Sequence, residues 1–464
     1  MSDQTDRPTH MPAAAAAAQA HRRTLLKAGL FGAASMAVGL RAPAVLAQAK
    51  RFAGVTINGA AFQHSFHVAL KSWLPELEDK TGLKVNFELQ SYPIYNQRMD
   101  LELSTHGSTY DFCNIGTPYA GRWITSGWMT QLDEFAHNSN LTAADWEPGD
   151  FARGPLAILS DVNGHVFGFP WVAGAIVMGI ARSDLLEKAK LPIPTTLDEL
   201  VETCLKTNAP GKTYSFVNDQ LHHWEWPPYL INEGGTIFRK PPTDLMPMLN
   251  TPQAIKAAEI YAQLLSSKCA PPGVLSYTDD QSMRMQLAGH ANIRTTSIDW
   301  LVPLAKLKDS KVKSTVRYAP LPKGAGGSFP GVNANGFGIP LGAKNKEAAW
   351  TFIQWALSKA SFERMALEKA YVTVPRRSIV ATPKFKEAMT INGQDVGKLY
   401  IDTVDAPGVS DYMKYRNMAV FPQVGEKINI AISQIVSGQA NAKAALDQAE
   451  SAAIADIKKA GVKL

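Results

Sequence analysis

Residues Asn163 to Leu200 read NGHVFGFPWVAGAIVMGIARSDLLEKAKLPIPTTLDEL. An apolar run from Val166 to Ala181 leads into a charged helical segment. Pro192 and Pro194 then make a turn, and Thr196 stands where a helix N-cap belongs, just before LDELVETC. Strand, helix, proline turn and capped helix in succession are the grammar of an α/β fold.

The same grammar extends in both directions. RFAGVTINGA (51–60) alternates Val55 and Ile57 and predicts a strand. SFHVALKSWLPELEDKTG (65–82) predicts a helix with Leu70, Trp73, Leu74 and Leu77 on one face and Gly82 as its stop. LKVNFELQ (83–90) is a strand. TYDFCNIG (109–116) is another, ending in a polar loop, with a helix after Pro118. This βαβ rhythm predicts a largely parallel sheet. Ligands bind at the carboxyl ends of such strands, so the loops Asn58–His64 and Asn114–Thr117 are placed to face one. These loops bring Gln63, His64, Asn114 and Thr117 into the candidate set.

Further on, LINEGG (230–235) is a turn and TPQAIKAAEIYAQLLSS (251–267) a long helix. ANIRTTSIDW (291–300) is a strand ending in a polar loop. VRYAPLPKGAGGSFPGVNANGFGIP (316–340), rich in Gly and Pro, is a crossover with a ligand loop. KNKEAAWTFIQWALS (344–358) is an amphipathic helix whose Trp350 and Trp355 belong to the core. The tail from Asp411 reads as helices with alanine-rich faces.

Bulk properties narrow the function classes. The chain has 464 residues, enough for two or three domains, with 45% hydrophobic and 19% charged content. The net charge is +6, and residues 1–47 supply half of it, through five basic against two acidic side chains. The remainder is too weakly basic to argue for a nucleic-acid partner. Arg22 and Arg23 precede a short apolar stretch, Ala28–Leu40, and small residues follow. That is an export signal, and RRTLLK resembles the twin-arginine motif, although His21 and Leu25 depart from it. A plain secretory signal or an amphipathic helix are the alternatives. Cleavage is expected near Ala47 or Ala49, giving a soluble periplasmic protein. Cys113, Cys204 and Cys269 have no metal or redox spacing and are expected to be buried thiols.

LHHWEWPPYLINEGG (221–235) concentrates His222, His223, Trp224, Glu225 and Trp226. Adjacent histidines diverge on a strand or a helix and do not converge on one ion. Catalysis by Glu225 needs a second carboxylate at a set distance. A sugar wall needs flat aromatic faces and polar edges, and this cluster has both.

The order of segments resembles the family of extracellular solute-binding proteins that serve ABC-type sugar importers. Asn163–Leu200 looks like the family's hinge strand, second-lobe strand and helix, and Pro-Thr turn. GHANIRTTSIDW (289–300) resembles a strand ending in a tryptophan. PLPKGAGG followed by GFGIPLGAKNKEAAWTFIQWALS resembles the return to the first lobe. SGQANAKAALDQAESAAIADI resembles the C-terminal helical pair.

The resemblance implies an α/β fold of two lobes, each a mainly parallel sheet flanked by helices, with a ligand cleft at the hinge. It places residues 48–171 plus 320–371 in lobe one, and 172–319 plus 372–464 in lobe two. Crossings fall near Trp171, Ala319 and Tyr371. Counting back from Gly234-Gly235, Trp224 takes the family's aromatic position and His222 its polar one. Trp300 resembles a stacking tryptophan, with lobe-two packing as its alternative. Ser297 and Asp299 share its loop and offer hydrogen bonds to hydroxyls, or else cap the next helix. Asn333 and Asn335 lie among glycines that allow close backbone approach. Trp171 lines the hinge. Arg376 binds an acidic or hydroxyl-rich ligand, or makes a hinge salt bridge.

The implied function is capture of a carbohydrate or polyol for an inner-membrane permease, by a monomer without cofactor or metal. The same fold holding an anionic sugar, organic acid or polyamine is the alternative, and an exported carbohydrate-active enzyme is the reading from another class.

Overall fold

The computed structural model describes residues 51–464 apart from Pro118 and Ala370, so the expected export signal lies outside the described residues. Ten strands organise the chain. They are β1 (Thr56–Phe62), β2 (Lys84–Gln90), β3 (Phe112–Gly116), β4 (Gly168–Ile180), β5 (Tyr214–Phe216), β6 (Phe238–Lys240), β7 (Asp244–Pro247), β8 (Ala291–Ser297), β9 (Arg317–Pro320) and β10 (Val332–Gly338). A further two-residue pair joins Thr390–Ile391 to Gln394–Asp395. One sheet of eight strands has the order β2-β1-β3-β10-β4-β8-β5, with β9 also paired to β4. β6 and β7 form a separate hairpin.

The quoted apolar run is β4, and all thirteen of its residues are buried. Having no charged side chain, it can be covered on both faces. Its first half pairs antiparallel with β10, from Gly168↔Gly338 to Ala175↔Val332. Its second half pairs antiparallel with β8, starting at Ile176↔Ser297, and with β9 along its other edge. β4 thus pairs with β10 up to Ala175 and with β8 and β9 beyond it, and one continuous strand holds two half-sheets together. A third segment runs alongside: Tyr371 donates its hydroxyl to Trp171 O at 2.9 Å, and Ala173 N donates to Thr373 O at 3.3 Å.

The sheet is mixed. Pairing is parallel at its flanks, β2-β1-β3 on one side and β8-β5 on the other, where crossover helices join the strands. It is antiparallel around β4 because β8, β9 and β10 all run against it or its neighbour.

Local signals place the flanking helices. Thr196 Oγ1 accepts from Glu199 N at 3.2 Å and Glu199 Oε2 accepts from Thr196 N at 3.2 Å, a closed capping box for the helix Leu197–Thr207. Gly82 ends the helix Ser65–Thr81 in the left-handed region (φ 74°), its N–H bonded to Glu78 O. A Cβ there would lie 2.8 Å from Ala53 Cα, so only glycine fits. Leu70, Trp73 and Leu77 are buried on that helix, as the periodicity predicts. The C-terminal helices Phe421–Val436 and Ala442–Lys459 pack on each other and on Pro252–Leu265, beside the second half-sheet. All three cysteines are free and buried.

Candidate functional site

A polar row crosses the sheet where β4 changes partner. Asn333 on β10 is paired with Gly174 of β4. Asn335, two residues on and about 7 Å along the same face, is paired with Gly116 of β3. The side chains lie flat over these glycines. A Cβ on Gly174 would sit 1.8 Å from Asn333 Oδ1 and 2.5 Å from Ser297 Oγ. A Cβ on Gly116 would sit 2.1 Å from Asn335 Oδ1. Asn114 Nδ2 donates to Asn335 Oδ1 at 3.3 Å, which continues the row across β3. Ser297 makes no cap bond to the helix Ile298–Leu301. Its hydroxyl donates to Asp299 instead. The row Asn114, Asn335, Asn333, Ser297 and Asp299 thus spans both half-sheets.

An aromatic cluster adjoins it. Trp171 is fully buried, stacked on Phe66 with centroids 5.0 Å apart, and its Nε1 donates to Asn114 Oδ1 at 2.9 Å. This indole orients Asn114 and has no donor left for a ligand. His64 caps the helix Ser65–Thr81 by accepting from Phe66 N at 3.1 Å. Its half-buried ring lies 4.8 Å from that of Trp171. Burial lowers the His64 pKa and the Asp299 carboxylate pulls it back up. Asp299 of one half-sheet and His64 of the other therefore share one electrostatic environment. Thr117 is buried, its hydroxyl donating to Ala334 O at 3.2 Å, and Tyr92 donates to Thr117 O at 3.2 Å. Gln63 is exposed at the end of β1, and Trp300 is partly exposed on its short helix.

The cluster at 222–226 is split by its own helix, His222–Glu225. His222 points inward, its Nδ1 3.4 Å from the Tyr261 hydroxyl, while His223 lies against Asn429. Burial brings both histidines down to about 4. Glu225 is buried too, and its Oε1 accepts from Thr296 Oγ1 at 2.7 Å. Burial, then the neighbouring Asp219, push the Glu225 carboxyl well up. One oxygen each of Asp219, Glu225 and Asp279 lie within 4.8 Å of one another. Arg294 supplies their counter-charge, with Nη2 3.0 Å from Asp219 and 2.6 Å from Asp279. His222 and Glu225, expected as ligand contacts, are buried beside the second half-sheet, and His222 Nε2 and Glu225 Oε2 have no hydrogen-bond partner among the described residues. Trp224 alone of the expected residues here stays partly open, and its ring carries the Arg416 guanidinium at 4.5 Å.

Arg376 also turns inward. It is fully buried, donates to Leu357 O at 2.9 Å and to Asp150 Oδ2 at 3.2 Å, and stands 4.1 Å from the Phe151 ring centroid. Of the two roles its sequence context allowed, the salt bridge is realised, because the arginine needs a partner once the surrounding aromatics exclude water.

Sequence reasoning missed the segment Tyr412–Asn417. Arg416 is buried and reaches Trp224, while Asn417 Nδ2 donates to Ala157 O at 2.7 Å. The signal was there: SDYMKYRN (410–417) puts two tyrosines and two basic residues inside an otherwise alanine-rich tail.

The chain and its fold have counterparts among known proteins. The family model for bacterial extracellular solute-binding proteins matches residues 64–361. An erythritol/L-threitol-binding protein of Mycolicibacterium smegmatis is 21% identical over 416 residues, covering 84% of this chain and 83% of the relative. A solute-binding protein of Agrobacterium radiobacter, solved with ribitol, superposes with a TM-score of 0.75 at 26% identity, covering 87% of this chain and 99% of that one. Another from Agrobacterium vitis, with bound D-mannitol, gives 0.73 at 22% identity, covering 88% and 99%. The architecture is that of the two-lobe periplasmic-binding-protein fold, and the chain belongs to the bacterial extracellular solute-binding proteins.

Proposed function

We propose that this protein captures a neutral polyol or sugar between its lobes and hands it to an ABC-type permease, without turning it over. The row of uncharged amides and hydroxyls over Gly116 and Gly174 carries this reading. Amides offer both donors and acceptors, as a chain of hydroxyls requires, and the glycines let those amides lie flat against the sheet. The relatives named for erythritol, threitol, ribitol and mannitol support the same class. Arg376, which spoke for an anion, is occupied by Asp150.

The expected division into lobes stays part of the proposal, supported by the change of partner along β4 at Ala175–Ile176. So do its remaining elements: export through the twin-arginine route, release near Ala47 or Ala49, and a monomer in the periplasm. Among the described residues, no helix is long and apolar enough to cross a membrane.

The test is a thermal-shift screen against erythritol, ribitol, D-mannitol, maltose, a sugar acid and a polyamine, followed by calorimetry. A ligand at a hundredfold excess over its Kd stabilises the fold by about 2.7 kcal/mol. Stabilisation by polyols or sugars, with the ligand recovered unchanged, is the expected result. Stabilisation only by the acid or the amine overturns the ligand class, and chemical conversion of the ligand overturns the binding-protein reading.

A further inference from the structure

The segment Tyr412–Asn417 carries buried polar atoms that nothing among the described residues satisfies. Arg416 is 1% exposed, yet its Nη1 has no hydrogen-bond partner. Asn417 is 8% exposed and its Oδ1 has none either. The Tyr412 hydroxyl is a third. A buried unpaired group costs about 1–3 kcal/mol, more when charged, so three such atoms within one short segment call for a water or a ligand to satisfy them.

The rest of each side chain is fixed. Arg416 lies over the Trp224 ring at 4.5 Å, its Nε donates to the Tyr415 hydroxyl at 3.0 Å, and its Nη2 reaches Trp224 O at 3.5 Å. Asn417 spends its amide nitrogen on Ala157 O and Ser160 O, at 2.7 and 3.1 Å. Its backbone sits so close to Gly121 that a Cβ there would meet Asn417 O at 2.2 Å. The segment is thus docked on the helices Ala120–Thr125 and Arg153–Ile158 of the first lobe, and its arginine reaches the helix His222–Glu225 of the second. Tyr412 packs edge-on against Phe329 at 5.3 Å, and two residues on from Phe329, Gly331 closes on Ile176 of β4. Phe329 and Gly331 lead into β10, the strand that carries Asn333 and Asn335.

We propose that Arg416, held flat on Trp224, is a specificity-determining residue that donates Nη1–H to hydroxyl oxygens of the ligand, with Asn417 Oδ1 accepting from a hydroxyl beside it. The proposal rests on the polyol reading above and sharpens it. A fixed donor next to a fixed acceptor suits a group that both accepts and donates. A carboxylate would be drawn to the guanidinium but repelled by Asn417 Oδ1, an ammonium would be repelled by the guanidinium, and a hydroxyl suits both. Nη1 carries two N–H bonds and is the nitrogen left over, so it can serve two neighbouring hydroxyl oxygens better than one isolated hydroxyl.

The test pairs ligand deletion with side-chain deletion in the full-length exported protein. Calorimetric Kd values are measured for ribitol, D-mannitol and their single-deoxy analogues, with wild type, Arg416→Gln, Arg416→Lys and Asn417→Asp. Wild type should bind the parent polyols and lose at least tenfold in affinity for one deoxy position. Arg416→Gln should bind the parents at least tenfold more weakly and no longer distinguish that analogue, and Arg416→Lys should fall between. Asn417→Asp keeps the acceptor but turns a carboxylate oxygen onto Ala157 O and Ser160 O, so its urea midpoint should fall while it still distinguishes the deoxy analogue. An Arg416→Gln variant that matches wild type on the parents overturns the proposal. So does one that weakens parent and analogue by the same factor, since that reports packing alone. If wild type binds neither polyol, the polyol reading itself falls, and the assignment of Arg416 falls with it.

Discussion

Asn333 and Gly174 face each other across β10 and β4, and the asparagine amide occupies the space a side chain on residue 174 would need. The polar row exists because β4 gives way beneath it. Ser297 uses the same opening from the other half-sheet, so one glycine lets two strands place polar groups together at the junction.

Gly174→Ala follows directly. The clashing atoms are the ends of two side chains, Asn333 Oδ1 at 1.8 Å and Ser297 Oγ at 2.5 Å, which can rotate away without moving backbone. The fold should survive with a loss of about 1–3 kcal/mol. Ligand affinity should fall tenfold or more, because the displaced groups belong to the proposed site. Denaturant unfolding and calorimetry on the same preparation check both halves. Unchanged affinity would remove Asn333 and Ser297 from the site.

Arg376→Met should behave in the opposite way. The arginine holds Leu357 O, Asp150 and the faces of Phe151 and Trp146 together in the first lobe. Its loss leaves Asp150, 8% exposed at the side chain, without its cation. Breaking a buried pair in this way costs about 3–5 kcal/mol. The folded fraction should still bind ligand with near wild-type affinity. A selective loss of binding with normal stability would return Arg376 to the ligand site.

His67 makes the protein acid-sensitive. Burial takes its pKa down to about 3, although the bond from its Nδ1 to Phe62 O, 2.7 Å, works the other way. The unfolded chain binds this proton near the ordinary 6.5, before the folded protein does. The stability that the neutral ring contributes is therefore complete above pH 6.5 and lost as the pH falls towards 3. Wild type should lose up to about 1.4 kcal/mol per pH unit more than His67→Gln across that window, read from urea midpoints at pH 7, 5.5 and 4.5.

Glu225 has the contrary sign. Its carboxyl is raised by burial and by Asp219, and Arg294 already serves Asp219 and Asp279. The charged form is penalised in the folded state, so the penalty is absent in acid and grows as pH rises above the ordinary carboxylate range. Glu225→Gln keeps an acceptor for Thr296 Oγ1 and removes one negative charge from the cluster. It should match wild type near pH 4 and exceed it by about 1–3 kcal/mol at pH 8. A variant less stable than wild type at pH 8 would mean that the ionised carboxylate is needed there.

Much of the fold was legible because its signals are local. The apolar run of β4, the capping box at Thr196 and the stop at Gly82 depend on residues a few positions apart, and each appears where the sequence placed it. Glycines near Asn333 and Asn335 suggested close approach, and the register of β10 against β3 and β4 gives that approach its partners. The site was less legible. Trp171, His222, Glu225 and Arg376 have the chemistry of ligand contacts, and nothing local says whether such a group faces the cleft or the core. Arg416 reaches Trp224 from 192 residues away.

The sequence by itself determined the succession of elements, the α/β class and the family, since periodicity, caps and motif order are written along the chain. Only the tertiary structure decided which polar groups are left for a ligand. That choice depends on who satisfies whom: Asp150 takes one nitrogen of Arg376, Asn114 takes the Trp171 indole, Arg294 takes Asp219 and Asp279, and single atoms of Arg416, Asn417, His222, Glu225 and Arg376 are left without a protein partner among the described residues. A buried polar group is silent once paired and available when it is not, and pairing is a property of three-dimensional neighbours.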